Sequence, residues 1–334
     1  MSRVFHGTIR QTGTSIAERT STVVAFPDPP RVIWRLSDGK PGHDNQSQGL
    51  IDALGRRCRI DVYDIPVPGG IRAWTHWLSG RFPDDRLLPD PWLIVGAGHS
   101  THLPMLVARR ARGGRAVVLM KPDLPNSLFD LCIIPEHDRP LPADNILVTR
   151  GGLNRIRPVT NARPDQGMFL IGGPSRHYLW NHEEIACQVE AVLQHSPIYR
   201  WVLTTSRRTP VGFAEWLRRK FWRDRDRLHV VPFGRTSDTW LGDQFEQAAN
   251  VWVTEDSVSM IYEALTAQVR IGLLSVPPRR YSRFVRGEEG LLDDCQVTRY
   301  DDWYSGHTLE LPGEKFNYAE SCAEWIHRQW GPGV

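Results

Sequence analysis

Lysine is nearly missing from this sequence. Of 334 residues only Lys40, Lys121, Lys220 and Lys315 are lysines, so arginine supplies 37 of the 41 basic side chains. Arginine's planar fork suits bidentate contact with phosphate and carboxylate, although a GC-rich coding background produces the same bias. Excess charge is also scarce. A net charge of +3 is too small to make nucleic acid the default partner, because proteins that track a phosphate backbone concentrate basic residues on one face. Cysteine is sparse: Cys58, Cys132, Cys187, Cys295 and Cys322 are widely spaced and contain no CxxC pair, which excludes a disulfide framework or a zinc ribbon and fits a reducing compartment. No run approaches the roughly 18 to 20 apolar residues of a membrane span. Residues 1–30 lack the apolar segment of a secretory signal, so a cytoplasmic chain is expected. What is present, 40% hydrophobic and 24% charged residues, is ordinary soluble globular composition. At roughly 150 residues per domain it suggests two domains.

From Arg31 onward, short β-branched runs alternate with helical patterns, the mark of βαβ units around a parallel sheet. Strands are expected at 32–36, 59–63, 92–95, 116–120, 131–134 and 145–149, and again at 168–171, 201–204, 229–231, 251–253 and 269–274. Helices are expected at 44–54, 182–195, 210–222 and 256–267. Two successive open α/β sheets follow, with a seam in the glycine- and proline-bearing stretch from Arg150 to Gly167. The expected division is an extension over 1–30, a domain over 31–160, and a second over 161–334 that carries the C-terminal helix at Phe316 to Trp330, a helix able to pack on either domain.

In such sheets ligands sit at the carboxyl ends of strands, where helix N-termini offer unpaired N–H groups. The loop Ser37-Asp38-Gly39-Lys40-Pro41-Gly42-His43-Asp44-Asn45-Gln46 follows the first strand. Asp38 and His43 can both handle protons there; alternatively, Asp44 or Asn45 caps the helix and His43 bonds the turn. Gly96-Ala97-Gly98-His99-Ser100-Thr101 repeats the strand-loop-helix pattern, with Ser100 or Thr101 as a cap. Glu136, His137 and Asp138 bring three titratable groups together, but without a companion His/Cys cluster local hydrogen bonding is favoured over a metal. In the second half, Gly172, Gly173 and Ser175 follow one strand, and Ser206, Arg207, Arg208 and Thr209 follow the next. The arginines can clamp phosphate and the hydroxyls can bond its oxygens. The richest segment runs from Thr254 through Glu255, Asp256, Ser257, Ser259, Met260 and Glu263. Asp256 or Ser257 would cap a helix whose N-terminus suits a pyrophosphate, and Glu263 about two turns further on reaches a ribose or sugar hydroxyl.

Together SDGKPGHDNQSQGL, VGAGHST, FDLCIIPEHD, NILVTRGGLNRI, LIGGPS, TTSRRTP and VTEDSVSMIYEA resemble the elongated-mitochondria (mitochondrial fission) family and its bacterial relatives, described as glycosyltransferases. The resemblance implies a GT-B architecture, two Rossmann-like domains facing across a cleft, without metal or other cofactor. It implies a nucleotide-sugar donor on the second domain, held by Gly172, Gly173, Ser175, Ser206, Arg207, Arg208, Glu255, Asp256, Ser257, Ser259, Met260 and Glu263. An acceptor would lie beside Lys40, Asn45, Gln46, His99, Ser100 and His137, with His43 or Asp38 as base. The chain is also distantly similar to the peptidoglycan-precursor GlcNAc transferase, but only Gly42-His43 matches that enzyme's first-domain glycine loop.

The implied reaction is sugar transfer to an acceptor hydroxyl in envelope glycan or glycolipid synthesis. The alternatives on this architecture are a non-hydrolysing nucleotide-sugar epimerase and a non-catalytic interaction protein. Residues 70–92 set Trp74, Trp77, Leu78 and Phe82 beside Arg72 and Arg81. Such a stretch either rests on an anionic membrane, at the inner face of the cytoplasmic membrane beside a lipid-linked acceptor, or packs on its own domain.

Overall fold

The computed structural model describes residues 29–67, 88–160, 163–279 and 290–331, apart from 293 and 295. Residues 1–28 of the expected extension, the aromatic-basic stretch as far as residue 87, and Cys295 lie outside the described residues.

The N-terminal half holds β1 (Arg31–Ser37), β2 (Ile60–Pro66), β3 (Leu93–Ala97), β4 (Arg115–Leu119), β5 (Leu131–Pro135) and β6 (Ile146–Thr149), all parallel in the order β2-β1-β3-β4-β5-β6. The C-terminal half holds β7 (Arg163–Ile171), β8 (Arg200–Thr205), β9 (Leu228–Val231), β10 (Ala248–Thr254), β11 (Arg270–Leu274) and β12 (Thr298–Arg299), also parallel, in the order β12-β11-β10-β7-β8-β9. The described helices are α1 (Pro41–Gly55), α2 (His99–Arg112), α3 (His182–His195), α4 (Phe213–Lys220), α5 (Trp240–Phe245), α6 (Val258–Ala267), α7 (Tyr300–Tyr304) and α8 (Tyr318–Trp330). Central strands such as β3 and β5 are buried along their whole length, because helices cover both faces of a parallel sheet. In the second sheet Trp201 and Trp252 lie flat over the glycines paired with them, Gly167 and Gly272. A Cβ on either glycine would meet ring carbon at 2.5 and 2.4 Å.

Strand order reverses once in each sheet. In the first sheet β1 lies beside β3, and in the second β7 lies beside β10. Loops leaving a pair of strands at such a point diverge to opposite faces and open a crevice at the carboxyl ends.

Among the described residues the chain crosses between the halves twice. The first crossing lies between Thr149 and Arg163. The second returns to α8, whose buried face packs on the first half, while Tyr318 at its start also touches the core of the second. Ala319, Cys322, Ala323 and Ile326 share a core with Leu50, Ile51 and Leu54 of α1. The reason is the apolar stripe of α8, whose complement on the first half would otherwise face water.

Ile326 is fully buried. Ile326→Ala should cost about 2–5 kcal/mol, read as a lower denaturation midpoint; an unchanged midpoint would place α8 outside that core.

Candidate functional site

Between the halves lies a cleft of about 990 Å³, walled by α1 and the β5 and β6 loops on one side and by the β8 loop and α6 on the other. Its base is closed by backbone. Gly49 of α1 comes so near the carbonyl of Asn154 that a Cβ would sit 2.3 Å from that oxygen, so only glycine permits the approach. Asn154 Nδ2 donates to Thr266 Oγ1 at 3.0 Å, and Arg155 pairs with Asp52 at 3.0 Å.

The first crevice holds a hydrogen-bonded dyad. α1 begins at Pro41, earlier than expected, since proline fits a helix's first turn with no N–H to satisfy. Asp44 therefore falls inside the first turn and accepts from Ser37 Oγ at 2.6 Å, so neither Asp44 nor Asn45 is the cap. His43 Nδ1 lies 3.0 Å from Asp38. Its ring occupies space kept open by Gly98, whose φ of +85° and missing Cβ are both required there. Asp38 also accepts from Ser100 Oγ at 2.8 Å and from the Lys40 N–H at 3.2 Å, and Lys40 Nζ is 3.4 Å away. Burial opposes the anion, but the bonds from Ser100, Lys40 and His43 hold the Asp38 pKa down at about 2. An ionised Asp38 requires the proton on Nδ1, which leaves Nε2 as the basic nitrogen. The Asp38 side chain is 4% exposed and His43 18%. His99 is exposed at the start of α2. Gly42 and Asp44 line the cleft, whereas the bonded group of Asp38, His43 and Ser100 stands behind that wall, and Lys40 and His99 are exposed outside the cleft lining.

The second crevice is built around Asp256. Its side chain is fully buried and accepts from the Gly173 N–H at 2.9 Å and from Arg208 Nη2 at 2.8 Å. Burial raises its pKa against those bonds. Arg208 also donates to the Gly173 carbonyl at 2.7 Å, and Gly172 N–H donates to Thr254 Oγ1 at 2.7 Å. Glu255 accepts from the Val276 N–H at 2.8 Å, and Ser175 Oγ from His177 and Tyr178. Gly172, Gly173, Ser175, Glu255 and Asp256 thus brace the strand ends through bonds to neighbouring loops and do not line the cleft.

The cleft itself is lined by Ser206, Arg207 and Arg208 from the β8 loop and by Ser257, Ser259, Met260 and Glu263 of the α6 region. Asn45, Gln46 and His137 face them from the first half. Ser257 is the N-cap residue of α6 and its side chain makes no capping bond, so the helix's first N–H groups and positive end are directed at the cleft. Arg207 lies over the exposed Phe233 ring at 5.6 Å. Asn45 Nδ2 donates across the cleft to Glu263 Oε1 at 3.0 Å. Enclosure pushes Glu263 up to about 7, with Asn45 and Arg207 pulling the other way. Sequence patterns missed Arg35, Arg155, Phe233 and Trp240, which also line the cleft; an isolated side chain in a turn or strand carries no local signal. Among the described residues no group of three or more His, Cys, Asp or Glu is placed to hold a metal ion, and no helix is long and apolar enough to cross a membrane.

Residues 41–330 match the family described as mitochondrial fission ELM1. No curated protein matches at a significant level. Among solved structures, a candidate UDP-N-acetylglucosamine 2-epimerase from Listeria monocytogenes aligns at TM-score 0.57 and 10% identity, over 92% of this chain and 98% of that one. The UDP-GlcNAc 2-epimerase of Methanocaldococcus jannaschii aligns at 0.56 and 10%, over 90% and 100%. MurG of Acinetobacter baumannii aligns at 0.47 and 12%, over 91% and 96%. The fold is therefore GT-B, as the expected pair of facing Rossmann-like domains required.

A Glu263 pKa raised from 4.5 to about 7 means that the folded state holds a proton the unfolded chain has released. That stabilisation is complete below pH 4.5 and is lost as pH rises through 7, a component of up to ~3 kcal/mol. Glu263→Gln should remove it, so the difference between wild-type and variant denaturation midpoints must change between pH 5 and pH 8; a constant difference contradicts the burial of this carboxyl. Arg208→Ala leaves Asp256 buried without its cation and, because Arg208 is itself 39% exposed, should destabilise by about 1–3 kcal/mol, measured by urea titration.

Proposed function

Since the chain belongs to the mitochondrial fission ELM1 family, we propose that it is a glycosyltransferase moving a sugar from a nucleotide-sugar donor to an acceptor hydroxyl. The observation that carries this reading is the cleft between the halves, with Arg207 and the start of α6 on one wall, Gln46 and His137 on the other, and Asn45 bonded across it to Glu263. On the donor side, the uncapped α6 terminus and Arg207 meet the diphosphate, and Glu263 accepts from a ribose or sugar hydroxyl. Arg208 braces Asp256 and through it the loop that presents Arg207. On the acceptor side, Asn45, Gln46 and His137 border the space a hydroxyl must enter.

In this reading the acceptor reaches past Gly42 and Asp44 to His43 behind the wall. His43 Nε2 takes the acceptor's proton while that oxygen bonds to the anomeric carbon. The carbon's bond to the diphosphate oxygen breaks, and the charge left on the diphosphate is met by Arg207 and the α6 N–H groups. Asp38 orients the imidazole and stabilises its cation; with a pKa of about 2 it is too weak a base to act itself near neutral pH. The acceptor belongs to envelope glycan or glycolipid synthesis in this reading.

A second reading is favoured by one feature. His137 and Asp138 line the cleft, where the acid and base of a nucleotide-sugar epimerase would have to stand, while His43 lies one layer behind.

Thermal melting against a panel of nucleoside-diphosphate sugars tests the donor: a matching member at a hundredfold over its Kd should stabilise by about 2.7 kcal/mol. Arg207→Ala should weaken that binding about tenfold or more, as loss of a charged hydrogen bond does. His43→Ala should spare it and lower turnover by about 10²–10⁴. No stabilisation by any nucleotide sugar removes the enzyme reading in favour of an interaction protein, and isomerised donor formed without acceptor decides for the epimerase.

A further inference from the structure

Much of the arginine excess lies away from the cleft. Residues 213–227 carry Arg218, Arg219, Lys220, Arg223, Arg225 and Arg227 against three acids. α4 buries Phe213 and Leu217 against the second sheet and turns Glu215, Arg219 and Lys220 outward. Beyond its end Trp222 is 57% exposed, with the Arg223 guanidinium 5.4 Å over its ring. An exposed indole set within a strongly basic stretch offers apolar surface and positive charge side by side.

Between α4 and β9, the edge strand of the sheet, lies a second cavity of about 410 Å³. Phe221, Leu228 and Pro232 form its apolar floor, and Arg218, Arg225, Arg235 and His229 its walls. None of its lining residues lines the cleft. Arg235 and His229 are exposed with no side-chain partner among the described residues, and Arg225 has only a loose contact with Asp226 at 4.0 Å. Arg218 donates to the Val230 carbonyl at 2.7 Å, which covers the strand edge and closes it to an added peptide strand.

We propose that this edge of the C-terminal half docks on an anionic membrane, with a lipid headgroup phosphate held between Arg225 and Arg235 and Trp222 entering the interface. A small soluble anion would use the guanidinium groups but not the apolar floor or the exposed indole. A headgroup uses all three, since tryptophan partitions to the headgroup level and basic residues near the surface add to the attraction. The site stands apart from the cleft chemistry and does not depend on it.

Co-sedimentation of the full chain with phosphatidylcholine vesicles, with and without phosphatidylglycerol, tests it. Binding should need phosphatidylglycerol, weaken with salt, fall roughly 30-fold in Arg225→Ala/Arg235→Ala, and weaken again in Trp222→Ala, while all variants keep the wild-type melting midpoint. Three results would overturn the proposal: no binding by the wild type, equal binding by the double variant, or full release by inorganic phosphate at matched ionic strength. The second would assign the membrane contact to another part of the chain, and the third would make the cavity a site for a soluble anion.

Discussion

The geometry of the C-terminal wall of the cleft depends on the ion pair between buried Asp256 and half-exposed Arg208. A carboxylate with no exposed surface is tolerable only when its charge is met by a cation and by hydrogen bonds, and Asp256 has Arg208 and the Gly173 N–H. Those three residues come from the loops after β10, β8 and β7. The pair therefore ties together the three strand ends whose loops must agree before Ser257 and Arg207 can face the same space. Asp256 Oδ1 is buried without a hydrogen-bond partner, which shows how much of the arrangement rests on the other oxygen.

The two halves solve the same topological problem with opposite chemistry. At the reversal point of the first sheet the buried acid is Asp38, kept ionised by Ser100, Lys40 and His43, and it directs a histidine. At the reversal point of the second the buried acid is Asp256, and it directs an arginine. One crevice presents a base, the other a cation and a helix terminus. Glycine makes each possible, at Gly98 for the imidazole and at Gly172 for the carboxylate, where a Cβ would lie 2.2 Å from His43 and Asp256 atoms respectively.

The alternation of β-branched runs with helical patterns was enough to place both sheets, because parallel strands buried on both faces read as continuous apolar segments. The motif loops were legible for the same reason: polar and glycine residues directly after a buried strand have few structural uses. Which of those residues face the cleft was not legible. Gly172-Gly173 and Asp256 read as ligand contacts, yet they satisfy one another across more than eighty residues of sequence, a distance no local pattern spans. The partnership of Asn45 with Glu263 and the contribution of Phe233 are equally non-local. The placement of α8 was hidden because an apolar stripe states that a helix is buried but not against what.

That placement has a consequence for biosynthesis. Ala323 and Ile326 complete the hydrophobic layer over α1, so the first sheet lacks one of its covering helices until a segment beyond the whole second sheet has been made. Domains usually fold in the order of their synthesis, but here the half made earlier must wait for a helix that follows the half made later. Its exposed layer is meanwhile the surface a chaperone would hold.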